Sequence, residues 1–548
     1  MFELIKGTMK TVLILFVMLS LNFPGHFQVQ EENRNAGKIE TELIMNKIPV
    51  FINTSENILF SIKLNVNAEQ KVLKKIVLHF TDESSLELVS AVSASILSDK
   101  ETLFGKTVRL TKSTVIEGNY SFVTVDNSIQ FNFSANKNTS LQNTFCLKNA
   151  ELHFADGEIV VVSATGQFKY RGAIILRSRG QDNCDTYRIP GLITTGNGTL
   201  VAVYDVRYSN SKDLQEDIDI GMSRSTDGGQ SWEPIKIIMD MGEWGGRPEK
   251  LNGIGDPCIL YDPGTNTIWV AALWMSGGSE KDALWWTSKP GMKPDETGQF
   301  MLVKSTDNGL TWSEPINITS QIKEPGWQLL LQGPGRGISM KDGTLVFPAQ
   351  FKADTGTKSL DGGKFTCHST IVYSKDHGKT WQIGTGAKPN TTESQVVELA
   401  DGSLMLNMRD DLNRTDKSEK NGRAVAITSD MGKTWTTHKS SNSALQEPNC
   451  MASLISADIE LNGKLQQVLF FSNPNNKTER SNMTIKSSLD GGLTWPIKYQ
   501  TEINSKIGYG YSCMTMIDGK TIGIVYEGEK DLYFQKIPVS DLLGDLIK

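Results

Sequence analysis

Apolar and polar residues alternate along much of the first third of the chain, for example in Ile129-Gln-Phe131-Asn-Phe133. This two-residue period puts alternate side chains on opposite faces of a β-strand. The short β-branched run Ile159-Val-Val-Val162 is typical of a strand that is buried on both faces. Because few helical patterns interrupt residues 30–165, we predict a β-sandwich-like domain there, followed by a connector at 164–172.

The N-terminal hydrophobic pattern is different. Lys6 and Lys10 precede a continuous apolar run, Val12–Leu19, and polar sequence follows it. A charged start and a short apolar stretch predict a secretory signal peptide over residues 1–28, and hence an exported protein, periplasmic or secreted. The run is shorter than the roughly 20 residues that span a bilayer, so we expect no membrane span. Two alternatives are a start at Met9 and a buried N-terminal strand.

An eight-residue pattern recurs five times after residue 171. In each copy the first residue is Ser or Thr, the third is Asp, the fifth is Gly, the seventh is Ser or Thr, and the eighth is Trp. Asp and Ser/Thr side chains accept hydrogen bonds from backbone N–H groups in tight turns, Gly supplies a left-handed conformation, and Trp anchors the turn in an apolar layer. We therefore interpret the repeat as a structural turn of β-hairpins. The copies are Ser225–Trp232, Ser305–Trp312, Ser374–Trp381, Thr428–Trp435 and Ser488–Trp495.

The repeat resembles the Asp box of several propeller families. Five boxes and one degenerate unit would make six blades, and residues 171–548 are long enough for six four-stranded units. We therefore predict an all-β protein in which a six-bladed β-propeller at 171–548 follows the N-terminal domain.

Composition excludes several classes of function. The chain has 548 residues and a formal net charge of −6, which does not suit phosphate-dominated nucleic-acid binding. Its six cysteines contain no Cys-x-x-Cys pair, and we interpret them as buried small residues. Its six histidines form no His-Glu-x-x-His motif, so we expect no metal or other cofactor.

The most specific motif is Tyr187-Arg188-Ile-Pro-Gly191, ahead of the first box. With the boxes, it resembles the bacterial-type exo-α-sialidase (neuraminidase) family, which has a six-bladed propeller. The resemblance covers residues 171–548. It implies three arginines for the carboxylate of sialic acid, since a guanidinium binds a carboxylate through two parallel hydrogen bonds. Arg188, Arg409 and Arg480 fit these positions in order, and Arg414 and Arg423 are rivals for the second.

The family resemblance also implies an acid/base and a nucleophile. The segment from Asp205 to Asp213 resembles the loop that carries the acid/base, so Asp213 would donate the proton and Arg207 would contact substrate. Asp217 and Asp219 are the competing carboxylates. Tyr511 would be the nucleophile and Glu393 its base, with Tyr509 as the alternative nucleophile.

A tyrosine suits this substrate for an electrostatic reason. The anomeric carbon of sialic acid already carries a carboxylate, which would repel an anionic nucleophile. A neutral phenol that loses its proton to Glu393 during attack avoids this repulsion.

Weaker matches complete the predicted site. Glu527 resembles a late Glu that orients the first arginine, and Asp256 resembles a residue near the N-acetyl pocket. Four tryptophans could line the pocket or the leaving-group side, but a core position is as good an interpretation for each: Trp274, Trp285, Trp286 and Trp327.

The sequence thus predicts a retaining exo-α-sialidase that acts on sialylated glycans, glycoproteins or glycolipids as a monomer. A trans-sialidase and a non-catalytic sialic-acid-binding lectin on the same scaffold are the alternatives. The N-terminal domain could be a carbohydrate-binding module or a packing spacer.

Overall fold

The computed structural model describes residues 39–66, 71–123, 125–279 and 283–547. The predicted signal peptide at 1–28 lies outside these ranges. The prediction of an all-β protein is confirmed, because strands dominate and the helices are single short turns. No helix in the described part of the chain is long and apolar enough to cross a membrane.

Among the described residues, eleven strands lie in the N-terminal region and most pair antiparallel with a neighbour. In chain order they are β1 (Ile39–Met45), β2 (Val50–Phe51), β3 (Ile58–Val66), β4 (Val72–Phe80), β5 (Val89–Leu97), β6 (Glu101–Thr107), β7 (Ser113–Ser121), β8 (Asp126–Ala135), β9 (Thr144–Phe145), β10 (Leu147–Phe154) and β11 (Ile159–Ser163).

The rest of the chain adds strands β12–β38 and three short α-helices. The strands are β12 (Tyr170–Arg177), β13 (Thr186–Thr194), β14 (Leu200–Arg207), β15 (Ile218–Ser225), β16 (Lys236–Met239), β17 (Ile254–Asp262), β18 (Thr267–Trp274), β19 (Gln299–Ser305), β20 (Ile316–Asn317), β21 (Leu329–Gln332), β22 (Gly335–Arg336), β23 (Ile338–Ser339), β24 (Leu345–Ala353), β25 (Thr366–Ser374), β26 (Gln382–Ile383), β27 (Lys388–Pro389), β28 (Thr391–Glu398), β29 (Leu404–Asp410), β30 (Ala424–Thr428), β31 (Thr436–Thr437), β32 (Ser453–Leu461), β33 (Lys464–Pro474), β34 (Met483–Ser488), β35 (Gln500–Asn504), β36 (Ser512–Asp518), β37 (Thr521–Glu527) and β38 (Leu532–Pro538). The helices are α1 (Leu284–Thr287), α2 (Thr319–Ile322) and α3 (Ser540–Leu543).

Nine of these eleven strands form two sheets with one common core. The first has the order β1-β3-β8-β5-β6 and the second the order β11-β10-β4-β7. The alternation seen in the sequence explains the core, because Ile129, Phe131 and Phe133 are all fully buried while their polar neighbours face away from it.

Six further sheets follow from β12 onward. Their main orders are β12-β38-β37-β36, β13-β14-β15-β16, β20-β19-β18-β17-β22, β21-β24-β25-β26, β28-β29-β30-β31 and β32-β33-β34-β35. One strand of each sheet contacts the next sheet in a cyclic order, from β13 through β17, β24, β28 and β32 to β36, which contacts β13 again. Six propeller blades would make the same cycle of contacts, and the propeller itself stays a prediction.

The two regions share strand β12 and part of their core. Strand β2 pairs parallel with β12, β9 pairs antiparallel with it, and β12 also pairs with the last strand, β38. The hydroxyl of Tyr170 donates to the carbonyl of Leu59 at 2.8 Å, and its ring stacks on Phe145. The prediction of a connector over 164–172 is therefore wrong for its last three residues, because strand β12 begins at Tyr170. This strand forms because it pairs with strands of both regions.

All five repeats form the same turn. In each, the Ser/Thr hydroxyl donates to the Asp and accepts from the Gly N–H, while the Asp also accepts from the backbone N–H and the hydroxyl of the residue before Trp. The Gly residues have φ between 76° and 87°, in the left-handed region. The turns lie away from the predicted catalytic side chains in sequence and serve a structural purpose.

Candidate active site

Arg188 is held on strand β13 by a buried carboxylate. Its Nε donates to Oε1 of Glu527 at 3.1 Å, and the backbone N–H of Ile189 donates to the same oxygen at 2.8 Å. Ile189 has φ 56°, a strained conformation for a β-branched residue, within an irregularity of the β13–β14 pairing. The other carboxylate oxygen of Glu527 accepts from the backbone N–H of Tyr511 at 2.8 Å. Glu527 therefore fixes Arg188 relative to Tyr511.

Tyr511 lies against Glu393 and Arg409. Its hydroxyl donates a hydrogen bond to Oε1 of Glu393, while Nη1 of Arg409 lies 3.1 Å from the Tyr511 oxygen and 2.7 Å from Oε2 of Glu393. Burial raises the pKa of Tyr511 well above its usual value, and the charge of Glu393 adds to the effect although the neighbouring arginines oppose it. The phenol is therefore neutral at rest, with a base and a cation in contact with its oxygen.

Three guanidinium groups surround the Tyr511 ring region. The guanidinium carbons of Arg188 and Arg480 lie 5.1 and 5.7 Å from the centroid of the Tyr511 ring, and Arg188 also lies 4.8 Å from the centroid of Tyr509. Arg480 donates to the carbonyl oxygen of Tyr509 at 2.9 Å. The structure thus brings together the three arginines that the family resemblance selected.

Asp213 projects from the loop between β14 and β15 towards two arginines. Its Oδ1 accepts from Nη1 of Arg207 at 2.8 Å and from Nη1 of Arg188 at 3.4 Å, and its side chain is 72% exposed. Partial desolvation would raise the pKa of Asp213, but the charges of Arg207 and Arg188 outweigh it and lower the pKa to about 2. Asp213 is therefore ionised in the free protein at neutral pH.

Arg207 and Asp256 are organised by Asp205, which sequence reasoning did not select as a site residue. Arg207 is 1% exposed and donates to Oδ2 of Asp205 through Nε and Nη2, at 3.1 and 2.7 Å. The other oxygen of Asp205 accepts from the backbone N–H of Asp256 at 2.8 Å. Burial, with the charges of Asp205 and Asp213, raises the pKa of Asp256 well above its usual value. The one sequence signal for the Asp205–Arg207 pair is its spacing, because residues two positions apart on a strand lie on the same face.

The rival arginines occupy other environments. Arg423 is 1% exposed and donates to Oε2 of Glu447 at 2.7 Å and to the side chain of Asn407 at 2.7 Å. In the described structure it hydrogen-bonds to neither Tyr511 nor Glu393. Arg414 pairs with its near neighbour Asp411 and is 41% exposed. Arg409, rather than either rival, reaches the Tyr511 hydroxyl in the described structure.

The competing carboxylates form a separate acidic cluster. Ligand atoms of Asp217, Asp219 and Glu249 lie within 4.8 Å of one another, so this set could hold a cation. Asp219 accepts from the hydroxyl of Tyr208 at 2.9 Å. Burial, with the charge of Asp240, raises the pKa of Asp219 to about 8. In the part of the chain that the structure describes, neither Asp217 nor Asp219 accepts a hydrogen bond from the arginines of the site.

All four tryptophans have packing or polar partners. Trp274 is 3% exposed, Trp285 donates to Asp361 at 2.9 Å, and Trp327 stacks on Phe351. Trp286 is 50% exposed and packs edge-on against Trp285. For Trp274 and Trp327 the core interpretation fits the structure better than a role in lining the pocket.

Asn449 is a further site residue that the sequence did not reveal. It lies between β31 and β32 and contacts both Arg409 and Arg480. An isolated Asn in a loop has no spacing pattern that would have identified it.

Comparison with known proteins gives consistent similarities. Residues 189–498 match the family described as BNR repeat-like domain. A sialidase of Bacteroides fragilis is 41% identical over 532 residues, covering 91% of this chain and 94% of the relative. A sialidase of Paraclostridium sordellii is 30% identical over 371 residues, covering 65% of this chain and 84% of the relative. Among solved structures, Hadza microbial sialidase Hz136 has a TM-score of 0.81 and 38% identity, and the match covers 91% of this chain and 99% of that one.

Proposed function

Because this chain belongs to the sialidase family and is a glycoside hydrolase of the exo-α-sialidase class, we propose that it releases terminal sialic acid with retention, through Tyr511. One observation carries this proposal. The Tyr511 hydroxyl donates to Glu393 while Arg409 contacts both groups, which provides a nucleophile, its base and a cation in one place.

The substrate carboxylate would bind at Arg188, Arg409 and Arg480, whose guanidinium groups all lie within reach of Tyr511. Arg207 and Asp256 would contact other parts of the sugar, and Glu527 would keep Arg188 in place. Burial and the charges of Asp205 and Asp213 raise the pKa of Asp256, which favours the protonated form of its carboxyl group.

In the first step Asp213 gives its proton to the glycosidic oxygen, the bond between that oxygen and the anomeric carbon breaks, and Tyr511 Oη bonds to the carbon as its proton passes to Glu393. Asp213 is ionised in the free protein, so its pKa must rise on binding. The bound carboxylate provides a cause, because it offsets the charges of the arginines that lower the pKa.

In the second step water attacks the anomeric carbon and Asp213 takes its proton. The bond to Tyr511 breaks, and the phenol recovers its proton from Glu393. Two successive displacements at one carbon leave the configuration as it began, which is the basis for proposing retention. Sialylated glycans, glycoproteins or glycolipids would be the substrates.

We also infer the architecture, the export and the oligomeric state of the protein. The cyclic contacts among the six sheets support a six-bladed propeller, and the identical turns of the five repeats support Asp boxes at the blade hairpins. Export after removal of residues 1–28 rests on the N-terminal sequence pattern, and a monomeric state remains part of the same proposal.

A fluorogenic sialoside tests the function. Release of free sialic acid by the full chain supports hydrolysis, whereas binding without turnover would favour the lectin. The same assay with added lactose distinguishes a hydrolase from a trans-sialidase, because a trans-sialidase would form sialyllactose in place of most of the free sialic acid.

A further inference from the structure

Asn449 joins two arginines of the site. Its side-chain Oδ1 accepts from Nε and Nη2 of Arg409, at 3.3 and 2.9 Å, and its backbone oxygen accepts from Nη2 of Arg480 at 3.2 Å. Its own amide donates to the backbone oxygen of Asp410 at 2.9 Å, and the residue is only 6% exposed. One buried residue therefore fixes the orientation of both guanidinium groups.

The partners of Arg480 differ from those of two buried arginines nearby. Carboxylates hold Arg188 and Arg423, through Glu527 and Glu447. Within the described ranges, by contrast, the hydrogen bonds of Arg480 go to two backbone carbonyl oxygens.

Arg409 has a single carboxylate partner among the described residues, Glu393, which is the base proposed for Tyr511. Its other acceptors in this part of the chain are the Tyr511 hydroxyl and the neutral side-chain amide of Asn449.

The backbone restricts which residue can occupy position 449. Asn449 has φ 57°, in the left-handed region that Gly, Asn and Asp adopt most readily. Gly would offer no side-chain acceptor to Arg409. Asp would offer one, but as a second carboxylate it would compete with Glu393 for the charge of Arg409. Asn combines the required conformation with an acceptor that carries no charge.

We propose that Asn449 is a positioning residue, which holds Arg409 and Arg480 through neutral oxygens so that their charge remains available to Tyr511 and to the substrate carboxylate. This inference rests on the proposed sialidase function. It explains how these two arginines are fixed when Glu393 is the one carboxylate that pairs with either of them among the described residues.

Two substitutions separate the effect of charge from that of shape. Asn449→Asp keeps the size of the side chain and adds a negative charge, and Asn449→Gly keeps the backbone conformation and removes the side chain. The probe is the unsaturated sialic-acid analogue DANA, whose carboxylate should meet the arginines. We expect Asn449→Asp to weaken DANA binding at least about tenfold, and by more than Asn449→Gly, with a matching loss of kcat/KM.

Asn407→Asp is the matched control. Asn407 Oδ1 accepts from Nε of Arg423 at 2.7 Å, so the same chemical change is made beside an arginine outside the site. We expect this variant to lower the melting temperature and to leave the DANA dissociation constant within about twofold of the starting protein, since it adds no contact to Arg409 or Arg480.

Binding is measured by calorimetry at a temperature where each variant is folded, as judged by its melting curve. Equal DANA affinities for Asn449→Asp and the starting protein, or a larger loss in Asn449→Gly, would overturn the inference. If Asn449→Asp does not fold, unchanged DANA affinity in Asn449→Gly would overturn it as well, and a severalfold loss would support it. Failure of the starting protein to release sialic acid would instead count against the proposed function.

Discussion

The phenolic hydroxyl of Tyr511 donates a hydrogen bond to Glu393, 118 positions away in the sequence. Glu393 is the third residue of β28, and Tyr511 immediately precedes β36. Both strands belong to the cycle of contacts between neighbouring sheets, which brings the two residues together. Arg409 bridges the two side chains. The fold thus brings together, from two distant segments, the hydroxyl and the carboxylate that we propose as nucleophile and base.

The arginines give a first test of the site. Arg409→Ala should cost about 2–5 kcal/mol of transition-state stabilisation, because it removes a buried cation from Tyr511 and Glu393. Arg423→Ala should instead destabilise the fold by about 3–5 kcal/mol, because it leaves Glu447 buried and unpaired. Steady-state kinetics and denaturant unfolding of both variants measure these effects. An Arg409→Ala protein with full kcat/KM would show that the second arginine has been misassigned.

Asp213 gives a second test, which depends on the leaving group. Asp213→Asn cannot protonate the glycosidic oxygen, so hydrolysis of a sialoside with a sugar leaving group should fall by about 100-fold or more. A sialoside with an acidic phenol as leaving group needs little protonation, so its first step should be affected much less. Comparing kcat/KM for the two substrates checks this expectation. Equal losses on both substrates would place the proton donor elsewhere.

Much of this arrangement could be predicted from the sequence, since the alternation around Phe131 predicts strands and the repeated Asp-Gly-Trp spacing predicts turns. Arg188 lies in a specific motif, and the other candidate residues follow it along the chain in the order that the family resemblance implies. The partners Asp205 and Asn449 could not be found in this way, because their importance comes from tertiary contacts with arginines. Likewise, no local pattern reveals that a strand begins at Tyr170, since its partners come from distant segments.

The shared strand predicts how the two regions depend on each other. A chain that begins at residue 171 lacks Tyr170 and the strands β2 and β9 that pair with β12. It should therefore melt at a lower temperature than the full chain and expose apolar surface, because the N-terminal residues that share a core with Ile174 and Leu176 are missing. A chain that begins at residue 39 is the control and should melt like the full chain. Equal melting of all three would show that the contacts add no stability.

The turn carboxylates predict a response to acid. Hydrogen bonds from the backbone N–H and then the hydroxyl of Thr380 lower the pKa of Asp376 to about 2. The unfolded chain has the ordinary value of about 3.9. Asp376 therefore stabilises the folded protein above about pH 4, and this contribution is lost as the pH falls towards 2. Asp376→Asn should lower the melting temperature at pH 7, and the difference from the starting protein should shrink below pH 4. A constant difference across this range would contradict the assignment.

The nucleophile itself can be identified by trapping. A fluorinated sialosyl fluoride slows both steps, because the fluorine on the ring destabilises the cationic transition state, while its good leaving group still allows the first step to proceed. A sugar adduct should accumulate on Tyr511, whose oxygen is already in contact with the base Glu393, and peptide mass spectrometry should locate it there. Tyr511→Phe removes only the hydroxyl and should abolish labelling without loss of the fold. An adduct on Glu393 or Asp213 would refute the mechanism, because either would require an anion to approach a carbon that already bears a carboxylate. An adduct on Tyr509, which lies over Arg188 in the same arginine cluster, would transfer the assignment to that residue.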